Sequence, residues 1–146
     1  MSRNNDYIIQ EKYFKMNYEE LSQNLLHLFH AAAQSDEELH LIEVSSILEI
    51  IQQKLPEIYP NLPEEYSNII TTQGLEYYKM LNKQNRSYEE NYHTFLSFFK
   101  QHSQEFSGDL RSFCINTTLA VLDSHKGVNP AEQAFIDRLK KDCKET

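Results

Sequence analysis

The chain has no tryptophan, only three glycines, four prolines and two cysteines among its 146 residues. So little Gly and Pro leaves scant material for the tight turns that an all-β fold needs again and again, and this points to helices. Cys114 and Cys143 are too few for a disulfide scaffold and lack the C-x-x-C spacing of redox and zinc motifs. One bridge between them stays open, with two buried, reduced thiols the expectation for a cytoplasmic protein. No apolar run approaches the roughly 18 residues of a membrane-crossing helix. The opening MSRNNDYIIQEKYFK holds only Tyr7-Ile8-Ile9 as an apolar run, which does not read as a signal peptide. Positive charge is scarce as well: 14 Lys and Arg against 22 Asp and Glu give a net charge of −8. Such a surface repels phosphate backbones, and Lys140, Lys141 and Lys144 are diluted by Asp142 and Glu145, so nucleic acid is excluded as a partner. A divalent cation or a basic protein partner suits this balance better.

What the chain does have is apolar mass, with 40% hydrophobic residues, nine Tyr and eight Phe. That is enough for one core in one domain. Residues 1–16 read as an N-terminal extension with room for a short helix from Asp6 to Lys15, and residues 17–146 as a single helical domain. Asn17 with Glu20 makes a capping box, followed by a stripe of Leu21, Leu25, Leu28, Phe29 and Ala32. A second stripe, Leu41, Val44, Ile47, Leu48, Ile51 and Leu55, is expected to stop at Pro56, where PEIYPNLP forms the connector. Helical spacing returns from Glu64 to Lys83, divided in two by Gly74. Ser87 and Glu90 cap a helix that turns Tyr92, Phe95, Leu96 and Phe99 inward. Another helix begins near Ser107-Gly108-Asp109, and a last one opens on Asn129 as N-cap and Pro130 as first residue. The expectation is an all-α bundle of six or seven helices.

Candidate chemistry is thin. Two E-x-x-H pairs, Glu37/His40 and Glu90/His93, match part of a di-iron helical-bundle ligand set. Glu37 sits at a helix start, however, and Glu90 is already used as a cap. His27 and His30 point away from the first apolar stripe and read as exposed surface histidines. No G-x-S-x-G, H-E-x-x-H or Gly-rich phosphate loop occurs, and neither cysteine has a His nearby in sequence. The loop from Asp123 fails the calcium-loop spacing, because His125 stands third and Gly127 fifth.

One arrangement occurs twice. In AAAQSDEELHLIEVSSIL a small-residue helix end leads to Asp36, then to Leu39 and Glu43 opening an apolar helix. In TLAVLDSHKGVNPAEQAFI the same order is Asp123, Val128 and Glu132, with two more residues in the loop. Glu132 lies about 60° from Phe135 on the helical wheel, so its carboxylate leans toward the apolar face and needs a partner there.

This doubled helix–Asp–loop–Glu–helix unit resembles TerB-like proteins, a family named for bacterial tellurite resistance and related to the N-terminal domain of a membrane-anchored DnaJ-type co-chaperone. The likeness runs from about Tyr18 to Cys143. It implies a compact all-helical domain that works without catalysis as an adaptor in a bacterial stress response, with a protein partner near the membrane. It also implies a divalent cation, and no organic cofactor, held by Asp36, Glu43, Asp123 and Glu132. The family commonly places Gly directly after the Asp. Here Glu37 follows Asp36, and Gly127 comes four residues after Asp123. Two other readings of the residues stand beside this one: a helical protein–protein or immunity-type module without metal, and a di-iron enzyme.

Overall fold

The computed structural model describes residues 17–34, 41–60, 62–122 and 130–144, the second stretch with side chains from Val44 onward. Among them no strand occurs. Six helices carry the fold: α1 (Tyr18–Gln34), α2 (Leu41–Ile58), α3 (Gly74–Gln84), α4 (Tyr88–Gln101), α5 (Gly108–Leu122) and α6 (Pro130–Lys144). A short turn, Tyr66–Asn68, and a π-helical segment, Ile69–Gln73, lead into α3. The all-α bundle read from composition and periodicity is what the chain forms.

Helix α1 is the axis of the molecule. It packs most extensively on α4, then on α5, and also on α3 and the π-helical segment. Asn17 starts it by accepting from the Glu19 and Glu20 amides at 2.8 and 3.2 Å, which satisfies two of the donors a helix start leaves free. From Leu25 to Ala33 every residue is buried, including Leu26, Ala31 and Ala33, which lie outside the apolar stripe. Over that stretch the helix is enclosed on every side and has no solvent face, while its first two turns keep one at Glu20.

Helix α2 does not stop at Pro56. It continues one more turn to Ile58, with Tyr59 N–H donating to the Leu55 carbonyl at 2.7 Å. Proline lacks the N–H that would bond the carbonyl four residues back, at Gln52. The Tyr66 hydroxyl donates to that same Gln52 carbonyl. A side chain from the next element thus replaces the missing backbone donor, and this is why the connector begins later than the proline suggests.

Gly74 does not divide the next helical stretch, which runs from Tyr66 to Gln84 without a gap; Gly74 itself is helical, with its N–H bonded to the Ile70 carbonyl. The Ile69–Gln73 segment is wound as π-helix, and α-helical geometry resumes at Gly74. Gly74 is buried, and a Cβ there would stand 2.7 Å from Leu48 Cδ2. Helix α2 therefore approaches this point closely enough to leave no room for a side chain. The ~1 kcal/mol a helical glycine costs is offset by that contact.

The last three helices hold an aromatic core. Phe95 stacks on Phe99 at 6.3 Å between centroids, Phe99 meets Phe106 edge-on at 4.8 Å, and Tyr92 meets Phe135 of α6 at 5.3 Å. Burial of each such ring is worth about 1.5–3 kcal/mol. Ser87 and Glu90 form the predicted capping box at the start of α4. Arg111 ties the α4–α5 turn to α6, donating to the carbonyls of Phe106, Ser103 and Cys143 at 2.8–2.9 Å.

Candidate functional site

The chemistry that the fold gathers lies at the centre of the bundle. His27, His30 and Gln34, spaced three and four apart, form one stripe along α1. The stripe faces α3 and α4 and not solvent. His27 is 3% exposed and His30 8%, which corrects the expectation of surface histidines. The physical reason is the enclosure of α1: what looks like a solvent face on the helical wheel is a polar seam between helices.

Asn91 of α4 is the hub of that seam and is fully buried. Its Oδ1 lies 3.0 Å from His27 Nδ1, while its Nδ2 lies 3.1 Å from His30 Nδ1 and 3.0 Å from Gln34 Oε1. On its far side His27 Nε2 is 2.6 Å from the Tyr77 hydroxyl of α3. Gln34 Nε2 donates to the Arg86 carbonyl at 2.6 Å. That carbonyl is aimed inward because α3 ends on Asn85 in the left-handed region (φ 53°), a conformation asparagine tolerates at helix C-termini. The rings of Tyr77 and Tyr78 pack on His27 and His30 at 5.5 and 5.3 Å.

The bonding pattern fixes the protons. Asn91 Oδ1 can only accept, so His27 carries hydrogen on Nδ1 and its Nε2 accepts from Tyr77. The Asn91 amide nitrogen can only donate, so His30 Nδ1 is bare. Both rings are neutral in this arrangement. Burial is the main cause that holds each below the ordinary histidine pKa. For His27 the Asn91 bond opposes this, and the positive charge of Arg86 and the neighbouring His30 add to it. For His30 a hydrogen bond with Gln34 opposes it. In the neutral state the seam is a chain of matched donors and acceptors.

The paired acidic junctions are met only in part. Glu132 sits in the first turn of α6 and is 1% exposed. The inward lean read from the helical wheel is therefore present. Asp36 and Asp123 lie outside the described residues, as does the side chain of Glu43. The loop with Gly127 and the Asn129 cap, Glu37, His40 and the N-terminal extension with its short helix also fall outside them. Among the described residues no group of three or more His, Cys, Asp and Glu could hold a metal ion.

Of the di-iron candidates, Glu90 and His93 are both exposed, lining a shallow surface depression with Arg86, Glu89 and Thr94. Glu90 accepts from the Ser87 amide, and this bond with the Ser87 side-chain contact lowers its pKa. Both cysteines are buried free thiols. Burial raises Cys114 well above the ordinary thiol value and Cys143 to about 11, so neither offers a thiolate near neutrality.

A second feature is a groove of about 470 Å³ between α2 and α5. Ile50, Ile58, Phe113 and Ala120 form its apolar surface, with Lys54, Glu57 and Asp109 among its charged residues. Helix α5 keeps apolar residues on its outer side too, where Leu119 is 37% exposed. No helix among the described residues is long and apolar enough to cross a membrane. Comparison of the chain with protein families, with curated proteins and with solved structures finds no match.

Proposed function

We propose that this protein is a non-enzymatic helical binding domain, a TerB-like adaptor of a bacterial stress response. The observation that supports this most directly is the use made of its titratable groups. His27 and His30 are consumed in an internal network, the two thiols are buried with raised pKa, and Glu90 caps a helix. These side chains, of types that catalysis would need free, are bound into the fold. Binding then falls to the acidic surface, and to Asp36, Glu43, Asp123 and Glu132 as ligands for a divalent cation. Glu132, buried in the first turn of α6, is the one of the four whose side chain lies among the described residues. Calorimetry with calcium, magnesium, manganese and zinc tests it. Saturable binding is expected, weakened at least tenfold by Asp36→Ala with Asp123→Ala. Unchanged binding in that variant, or none in the parent, overturns the cation site.

The groove between α2 and α5 favours a second reading, a protein–protein module that needs no metal. Its floor runs from Ile50 to Ile58 on one helix and from Asp109 to Ala120 on the other. That length receives about two turns of a partner's amphipathic helix. Ile50→Asp with Ala120→Asp abolishes partner binding on this reading and leaves it unaffected on the first.

A further inference from the structure

The polar seam joins three helices through bonds that, at His30, match a neutral ring, and it sits where α1 meets its largest partner. We propose that it is an acid-sensitive latch: a proton arriving at His30 unfastens α1 from α4 and from the α3–α4 loop.

The hydrogen bonds carry the argument. Protonation gives His30 Nδ1 a hydrogen that points at Asn91 Nδ2, 3.1 Å away, so two donors face one another. Gln34 Oε1 is an acceptor beside it with a second lone pair, but a bond made there leaves the His30 N–H against the Asn91 NH2 group. Turning the Asn91 amide over gives His30 an acceptor, and His27 follows by moving its proton to Nε2, but Asn91 Oδ1 then stands 3.0 Å from Gln34 Oε1, acceptor against acceptor. Gln34 cannot turn in reply, because its Nε2 serves the Arg86 carbonyl. Neither orientation of Asn91 leaves all its partners matched once His30 is charged. His27 differs: a proton on its Nε2 needs only that the Tyr77 hydroxyl rotate from donor to acceptor. The two histidines, one turn apart on the same helix, thus respond unequally, and His30 is the trigger.

Among the described residues that line the seam, none offers the new charge a counter-ion. From α3 the seam meets Tyr77 and Tyr78, from α4 Asn91, from α1 Gln34, and from the intervening loop Arg86, which is itself positive. Glu90, next to Asn91 in sequence, turns its carboxylate outward to the Ser87 amide. Among the described residues a charge arriving on His30 meets dipoles and no opposite charge.

The sign of the pH effect follows. Both histidines take up protons less readily folded than unfolded, so their stabilising effect is complete above about pH 6.5 and is lost as pH falls below it. Urea unfolding from pH 8 to pH 5 measures the dependence. The folding constant is expected to fall below pH 6.5 with a slope approaching about two protons per pH unit, the sum of both histidines. His30→Asn keeps an acceptor facing Asn91 Nδ2 and cannot be protonated, so its slope is expected to drop by about one. Equal slopes in the two proteins overturn the proposal. A second measurement covers failure of the variant to fold: imidazole nitrogen NMR of the unaltered protein. It is expected to show the Nδ1–H form for His27 and the Nε2–H form for His30, both more than half neutral at pH 6.5. A His30 more than half protonated at that pH, or its Nδ1–H form, overturns the proposal.

Discussion

Asn91 shows what a single side chain does when it is the only link between two partners that cannot bond each other. Its carbonyl and amide ends serve opposite needs, donor on one side and acceptor on the other, which no aspartate, leucine or serine reproduces. Removing it strands the His27 Nδ1–H and the Gln34 carbonyl in the interior, each at about 1–3 kcal/mol. Asn91→Ala is therefore expected to lower the unfolding free energy by about 2–4 kcal/mol in urea denaturation followed by circular dichroism. A loss under about 0.5 kcal/mol would show that the seam is not bonded as described. In sequence Asn91 is a polar residue in a polar stretch, EENYH, and nothing local marks it. Its partners on α1 lie 57, 61 and 64 positions away. The histidines were visible as a pair but were assigned to the wrong surface. The usable signal was on their flanks: Leu26 and Ala31 widen the apolar part of α1 beyond one stripe, as happens in an enclosed helix. Glu132 is the opposite case, because its position relative to Phe135 and Leu139 is local geometry, and it is buried with them.

At the level of elements, periodicity and caps located the helices, and the misplaced boundary has one cause. The end of α2 was assigned at Pro56 because proline removes a backbone donor, but the acceptor it orphans is supplied from Tyr66 in the next element. A sequence window around Pro56 holds no sign of a hydroxyl ten residues on. The substitution of one donor for another is testable as a cycle. Tyr66→Phe alone is expected to cost about 1 kcal/mol. In a Pro56→Ala background the restored N–H can serve Gln52, and the same change is expected to cost about half as much or less. Strict additivity in thermal or urea unfolding would refute the link. The π-helical segment before Gly74 is likewise invisible: the glycine suggests a break, but the helix runs through it, and Leu48, whose methyl group lies where a Cβ would stand, belongs to another helix. Local chemistry dictates where helices start, and contacts from elsewhere dictate how far they run.

For the whole molecule, the charge balance is the property most secure from composition and the one with the broadest effect. Eight excess negative charges on 146 residues repel one another when the chain is compact. The cross-element ion pair of Arg138 with Glu89 at 3.0 Å, set over the Tyr92 ring, relieves this locally. Raising sodium chloride from about 0.02 to about 0.5 M shortens the screening length from roughly 20 to roughly 4 Å. The melting temperature is expected to rise by a few degrees, and a fall would mean that attractive pairs outweigh the repulsion.

The enclosure of α1 has one more consequence, in the order of events during folding. Its polar stripe finds its partners on α3 and α4 only 50 to 64 residues further along the chain. The loop entropy of those closures is lost before any of the seam's bonds can form. Until α4 arrives, α1 has water on its leucines and on its histidines alike. Winding a helix of 17 residues takes on the order of a microsecond or less. A helix of that length is only marginally stable alone, so α1 winds and unwinds many times before the arrival of α4 fixes it.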